Sequence, residues 1–266
     1  MTPKSAFSEY AARLREFIRL SMLPPDGRPQ NRSVRDAFDD LARELFALQF
    51  KHNAPYRVFC EAQKITPPKI AHWPEVPAMP AVGFKEFDLT SLPLDERARV
   101  FYSSGTTGQI PSRHFHDAES LSVYEASLLP WFRANVSDGP LLPSRKMITR
   151  RFIMLTPSGA QALHSSLVHM FEIIAREFAL DDSTYTGYTE GNGDWSLDRN
   201  KTITLLTEAV AADRPVLLMG TAFNFVHLLD FIAQNKRPIK LPAGSRILET
   251  GGYKGRSRVL PKAELH

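Results

Sequence analysis

The sequence predicts an α/β protein built on parallel sheet with helices on both faces, and three features predict it. Short apolar runs at Arg151–Leu155, Pro215–Met219 and Ser245–Glu249 have the length and composition of buried strands. Longer segments with helical spacing separate them: Ser165–Ala179, with Leu167, Met170, Phe171, Ile174 and Phe178 on one face, then Arg199–Ala212 and Ala222–Gln234. Each apolar run also closes on turn residues, Thr156-Pro157, Gly220-Thr221 and Thr250-Gly251-Gly252. Strands alternating with helices form parallel sheets, and such sheets take ligands beyond the carboxyl ends of their strands.

The N-terminal part reads differently. Ser5–Leu20 repeats Phe7, Tyr10, Leu14, Phe17 and Ile18 at helical spacing, and the segment Leu23–Gln30, with three prolines and a glycine, breaks that pattern. Ser33 with Asp36 is a helix-start signal, and Val34, Phe38, Leu41 and Leu45 carry a second helix to about Phe50. Residues 1–66 are therefore expected to form a helical cap and residues 67–266 an α/β domain. Pro67–Pro93 is proline-rich and expected to be extended, Ser120–Phe132 is a helix candidate, and Leu141–Lys146 and the polar stretch Asp181–Trp195 are expected to be loops.

Composition narrows the function classes. The chain has 266 residues, 43% of them hydrophobic and 23% charged, ordinary values for a globular protein. No run approaches the roughly 18 apolar residues of a membrane span, and the N-terminus has no apolar signal core. The lone cysteine, Cys60, can form neither an intramolecular disulfide nor a cysteine-built zinc site, and it and His52 read as packing residues. A net charge of +4 without a dense basic run gives no footprint for nucleic acid. These features together predict a cytoplasmic location.

The stretch richest in chemistry is Ser103-Ser104-Gly105-Thr106-Thr107-Gly108, with Arg113 downstream. It follows Val100-Phe101-Tyr102, a short apolar run expected to be a strand. Two glycines let the backbone N–H groups turn toward an anion, the hydroxyls add donors, and Arg113 supplies a planar fork suited to phosphate. The glycines are three positions apart and Gln109 follows, so this is not the Gly-x-x-x-x-Gly-Lys loop of kinases and GTPases.

This hexapeptide resembles the phosphate-binding loop of the adenylate-forming superfamily, and most closely its acyl-protein synthetase (LuxE-type) branch. Val76-Pro77-Ala78-Met79-Pro80 leading to Phe84-Lys85-Glu86 is similar to the segment before that loop, and Ser112-Arg113 stands where the branch has a small and a basic residue. Leu155-Thr156-Pro157 with His164, and Ser165-Ser166-Leu167-Val168 after it, look like the segment lining the carboxylate pocket. Pro215–Phe225, with Thr221 and Phe223, resembles the strand and turn beside the acyl tunnel, and Thr250-Gly251-Gly252-Tyr253-Lys254-Gly255 resembles the turn over which adenine stacks. The likeness spans about residues 74–258.

The resemblance implies an acid–thiol ligase that joins a fatty or aromatic carboxylic acid to ATP, with Mg2+, and passes the acyl group to a protein thiol, with an acyl reductase as a partner. Ser103–Gly108, Arg113, Gly251, Gly252, Tyr253 and Lys254 would bind nucleotide, and Pro157, His164, Ser165, Thr221 and Phe223 would line the substrate pocket; no residue is assigned as a metal ligand. Gly252 would let the backbone approach adenine. The family's later Tyr-Gly-x-Thr-Glu motif, its catalytic C-terminal lysine and its acyl-accepting cysteine have no counterpart before His266, and Gly187-Tyr188-Thr189-Glu190 comes too early, with its first two residues reversed. The expectation is an adenylate-forming N-terminal domain truncated before the C-terminal domain and inactive on its own, with no catalytic residue assignable. A phenylacetate-type acyl-CoA ligase and a non-catalytic remnant that binds nucleotide or acyl groups are the alternatives.

Overall fold

The structure is a computed structural model, and it describes residues 3–22, 33–103, 110–137, 150–179, 183–236, 238–252 and 260–265. The chain divides into two compact units, Met1–Trp131 and Phe132–His266.

The first unit opens with α1 (Pro3–Ser21) and α2 (Val34–His52), and the Ser33 hydroxyl caps α2 by accepting from the Asp36 N–H. Asn53 closes α2 and caps α3 (Ala54–Ala62), its side chain accepting from the Tyr56 N–H, so a single residue turns the chain between two helices. Phe46, Tyr56, Cys60 and Ile70 form the buried centre of a core completed by Phe50, Phe59, Val76 and Leu89. The Tyr56 hydroxyl donates to the Pro77 carbonyl at 2.7 Å, which fixes the proline-rich segment to that core. This segment is not simply extended. It makes single turns at Pro67–Lys69 and Trp73–Glu75, then α4 (Gly83–Glu86). Cys60 has no exposed surface, and burial pushes its thiol pKa up.

Strands β1 (Arg99–Tyr102) and β2 (Arg113–His116) pair antiparallel, Tyr102 opposite Arg113, and α5 (Ala118–Asn135) follows. The apolar run before the serine–glycine stretch is thus a strand, as expected, and among the described residues it pairs antiparallel with the strand that follows and lies outside the parallel sheet.

The second unit carries the parallel sheet. Strands β3 (Arg151–Met154), β4 (Ser183–Tyr185), β7 (Val216–Gly220) and β8 (Arg246–Glu249) lie in the order β4-β3-β7-β8, all parallel. Between β4 and β7 the chain makes an antiparallel pair, β5 (Gly187–Thr189) with β6 (Trp195–Leu197). The stretch Asp181–Trp195, expected as a loop, thus holds β4, β5 and the start of β6 among its described residues. These three-residue strands are too short and polar to carry an apolar period.

Helices α6 (Ser166–Phe178), α7 (Arg199–Ala211) and α8 (Ala222–Gln234) make the connections. Ile153, Leu155, Val216 and Leu218 share one core with Leu205, Leu206 and Ala209 of α7 and Phe225 and Leu228 of α8. The alternate strand residues Phe152, Met154, Leu217 and Met219 are equally buried and point to the opposite face, where a right-handed crossover from β3 to β4 puts α6. The unit is therefore a mixed α/β layer with a four-stranded parallel sheet flanked by helices. The chain leaves β3 toward β4 on one side and enters β7 on the other, so the strand order reverses between β3 and β7.

Candidate functional site

The sequence-selected residues of the second unit collect at the carboxyl edge of its sheet. The Leu155 N–H donates to the Met219 carbonyl at 2.8 Å and the Thr250 N–H to the Gly220 carbonyl at 3.1 Å, so the ends of β3, β7 and β8 stand side by side. Thr156-Pro157, Gly220-Thr221 and Thr250-Gly251-Gly252 leave from those ends, flanking the place where the strand order reverses. In doubly wound sheets this is where a crevice opens for ligand.

Most polar groups at this edge are already engaged. Thr221 caps α8 in a reciprocal box with Asn224, its hydroxyl donating to Asn224 Oδ1 at 2.7 Å. The next two N–H groups of α8, those of Ala222 and Phe223, donate to the Gly251 and Gly252 carbonyls at 3.4 and 3.2 Å. Helix starts commonly hold anions because such donors are free, but here the chain's own Gly-Gly turn occupies them. Gly251 and Gly252 have φ of +73° and +86°. No described atom lies within 4 Å of where a Gly252 Cβ would stand, so within the chain itself it is the positive φ that favours glycine there.

Pro157 is buried and His164 is exposed, while Ser165 caps α6 by accepting from the Val168 N–H at 3.2 Å. The Ser165 hydroxyl therefore satisfies one of the first N–H groups of the helix. Phe223 sits edge-on to His227, with centroids 4.4 Å apart. The Thr156 side chain is completely buried, and its hydroxyl has no hydrogen-bond partner among the described residues.

Two residues that sequence reasoning missed shape this edge. A Cβ on Gly187 would lie 2.4 Å from the Thr156 carbonyl carbon and 2.7 Å from the Pro157 nitrogen, so only glycine lets β5 run against that peptide. Glu172 of α6 accepts from the Gly159 N–H at 3.0 Å. Burial and, second, the Glu172 charge push the Tyr185 hydroxyl up to about 12. The acidic position of Glu172 on a strongly apolar helix is the only signal the sequence offered for it.

In the first unit, Ser104–Gly108 lie outside the described residues, as do Tyr253 and Lys254 in the second. The residues around Ser104–Gly108 are clear. The Ser103 N–H donates to the Ser112 carbonyl at 3.1 Å, and the Ser112 N–H to the Ser103 hydroxyl at 3.0 Å. These bonds close the base of the hairpin one rung beyond the Tyr102–Arg113 pair. Arg113 is not a bare cation there, since its terminal nitrogen lies 3.0 Å from Asp88 Oδ1. Asp88 is also bound by Arg97 at 2.8 Å. His114 stacks on Phe84 and bonds the Ser112 hydroxyl at 3.1 Å; burial lowers its pKa, which favours the neutral ring.

The first unit also has a cleft of about 670 Å³ lined by α2 and the Ala71–Glu75 turn, with Asp36, Asp39, Asp40 and Glu75 on its walls. Its acids hold the fold. Asp39 accepts from the Trp73 N–H at 2.7 Å, which with Arg43 nearby lowers its pKa, and Glu75 accepts from the Ala71 N–H at 2.8 Å. Among the described residues no group of three or more His, Cys, Asp or Glu could hold a metal ion, and no helix is long and apolar enough to cross a membrane. No protein-family model and no curated protein matches the chain.

Proposed function

We propose that this chain binds ATP and a carboxylic acid, a fatty acid first among them, and serves acyl-adenylate formation for transfer to a protein thiol, as in acyl-protein synthetases of the adenylate-forming superfamily. One observation carries the reading. Three segments chosen in the sequence for their order and spacing, Thr156-Pro157, Gly220-Thr221 and Thr250–Gly252, stand on neighbouring strands at the carboxyl edge of one parallel sheet, beside its reversal of strand order.

In this reaction a carboxylate oxygen attacks the α-phosphorus of ATP, a new P–O bond forms, and the bond to the β-phosphate breaks to release pyrophosphate. The protein's part is to hold two anions together and to answer the charge on the phosphates. Under this reading the residues after Tyr102 and Arg113 bind the distal phosphates, the carboxylate lies near Pro157, and the adenine lies on the Gly251-Gly252 backbone. The described residues offer no carboxylate cluster for Mg2+, so the ion would enter on the phosphates, which is its usual mode beside nucleotides.

Calorimetric titration with ATP tests the reading, with the double substitution Thr106→Val and Thr107→Val as the control. Removing two donors to a charged partner lowers affinity by about tenfold or more. Equal affinity in the two proteins overturns the phosphate assignment. ATP–pyrophosphate exchange with a panel of fatty and aromatic acids then identifies the substrate. Consumption of CoA in that assay moves the protein to the acyl-CoA ligases, and ATP binding without exchange marks a nucleotide-binding protein.

A further inference from the structure

Two arginines share Asp88, and they are held very differently. Arg97 is anchored at three points. Its Nη1 binds Asp88 Oδ2 at 2.8 Å, its Nε donates to the Leu92 carbonyl at 3.3 Å, and its guanidinium lies 4.5 Å from the centre of the Phe115 ring. Its side chain is only 19% exposed. Arg113 has only the Asp88 Oδ1 contact among the described residues. That contact is close enough for an ion pair, but its angles fall short of a hydrogen bond, leaving Oδ1 without one. The Nε of Arg113 is buried and has no acceptor among the described residues. A buried N–H without an acceptor is costly, and a guanidinium fork with a free donor is ready for a bidentate oxygen ligand.

We propose that Asp88 is the resident counter-ion of Arg113 and that a phosphate group displaces it, while Arg97 keeps hold of the carboxylate. The inference rests on the phosphate-binding reading above. The exchange is easy in one direction only. The Arg113 and Asp88 side chains are 37% and 41% exposed, so their pairing is worth little although Asp88 Oδ1 itself is buried. A phosphate offers Arg113 two oxygens in the plane of its fork and an acceptor for Nε. Asp88 is not stranded when Arg113 leaves, because its hydrogen-bonded partner is Arg97. Two arginines against one carboxylate also leave a surplus positive charge at the hairpin base, where Tyr102 and Arg113 pair.

The proposal predicts a gain of affinity, which a damaged fold does not produce. Asp88→Asn removes the competitor, and magnesium–ATP and inorganic tripolyphosphate should bind about two- to fivefold tighter, the factor an exposed ion pair is worth. Adenosine should bind as before. In an Arg113→Gln background the Asp88→Asn change should have no effect, since there is no cation left to release. Weaker or unchanged phosphate binding by Asp88→Asn, in a wild-type protein that does bind ATP, overturns the exchange and leaves the functional reading intact. A gain that persists without Arg113 also overturns it, because Asp88 would then act only as a distant charge. A wild-type protein that binds neither ATP nor tripolyphosphate overturns the functional reading and the exchange with it. Where Asp88→Asn does not fold, Arg97→Gln carries the test. It leaves the carboxylate wholly to Arg113, so ATP binding should fall by a similar factor with Arg113 present and stay level without it; any other pattern overturns the exchange.

Discussion

The carboxyl edge of the parallel sheet and the base of the β1–β2 hairpin both hold residues singled out by the sequence, yet they treat polar groups in opposite ways. At the sheet edge most donors are closed onto the chain itself, the buried Thr156 hydroxyl excepted. Thr221 and Asn224 cap each other, and the Ala222 and Phe223 N–H groups meet glycine carbonyls. At the hairpin base Arg113 keeps an N–H without an acceptor among the described residues, and an ion pair between partly exposed side chains. The edge is organised to present shape, through glycines and a buried proline, whereas the hairpin base is organised to present charge.

That contrast can be broken most severely at Gly187. Gly187→Ala places a methyl 2.4 Å from the Thr156 carbonyl carbon, and backbone cannot move aside as a flexible side chain could. The unfolding free energy should fall by about 3 kcal/mol in urea titrations. A loss within experimental error would mean that the β5 strand is not held against Thr156.

A smaller effect is expected at Gly252, where the cost is conformational. With φ at +86° and open space around the Cβ position, Gly252→Val should cost about 1–2 kcal/mol, while Gly252→Asn, which tolerates left-handed backbone, should recover part of that. Equal melting temperatures for the two variants would show that φ is not the constraint. The smallest change in stability is expected at the hairpin base. Arg113→Gln should alter the unfolding free energy by about 0.5 kcal/mol or less, because the pair with Asp88 is exposed and Asp88 keeps Arg97. A larger loss would make Arg113 a structural residue and erase the distinction between the two regions.

The sheet unit was largely legible in the sequence because its elements are apolar and well capped. Ala222–Gln234 was placed to the residue, and Arg199–Ala212 and Ser165–Ala179 were each within one residue at either end. Burial and periodicity point the same way in these helices, and Ser165, Asp198 and Thr221 mark their starts. The strands β4, β5 and β6 were illegible because three residues cannot show a period, and their pairing is a property of backbone. Helix α3 was missed although Pro55 stands in its first turn, because Asn53 ends one helix and starts the next with no loop between them. The pairing of β1 with β2 was hidden for a related reason, since Arg113–His116 has only one apolar residue, Phe115. Asp88 could not have been selected at all, because nothing near it in sequence ties it to an arginine twenty-five positions away.

The Gly-Gly turn gives the second unit a further property. By covering the first N–H groups of α8, the carbonyls of Gly251 and Gly252 bind the end of β8 to the beginning of the helix that precedes it. Strand β7, helix α8 and strand β8 thereby close into a ring of backbone bonds, with Thr250 returning to Gly220 at the same point. Such a ring opens as a unit, since freeing β8 exposes helix donors and fraying the helix frees the strand. The part of the molecule from Val216 to Gly252 is therefore a cooperative block, held by its own backbone bonds.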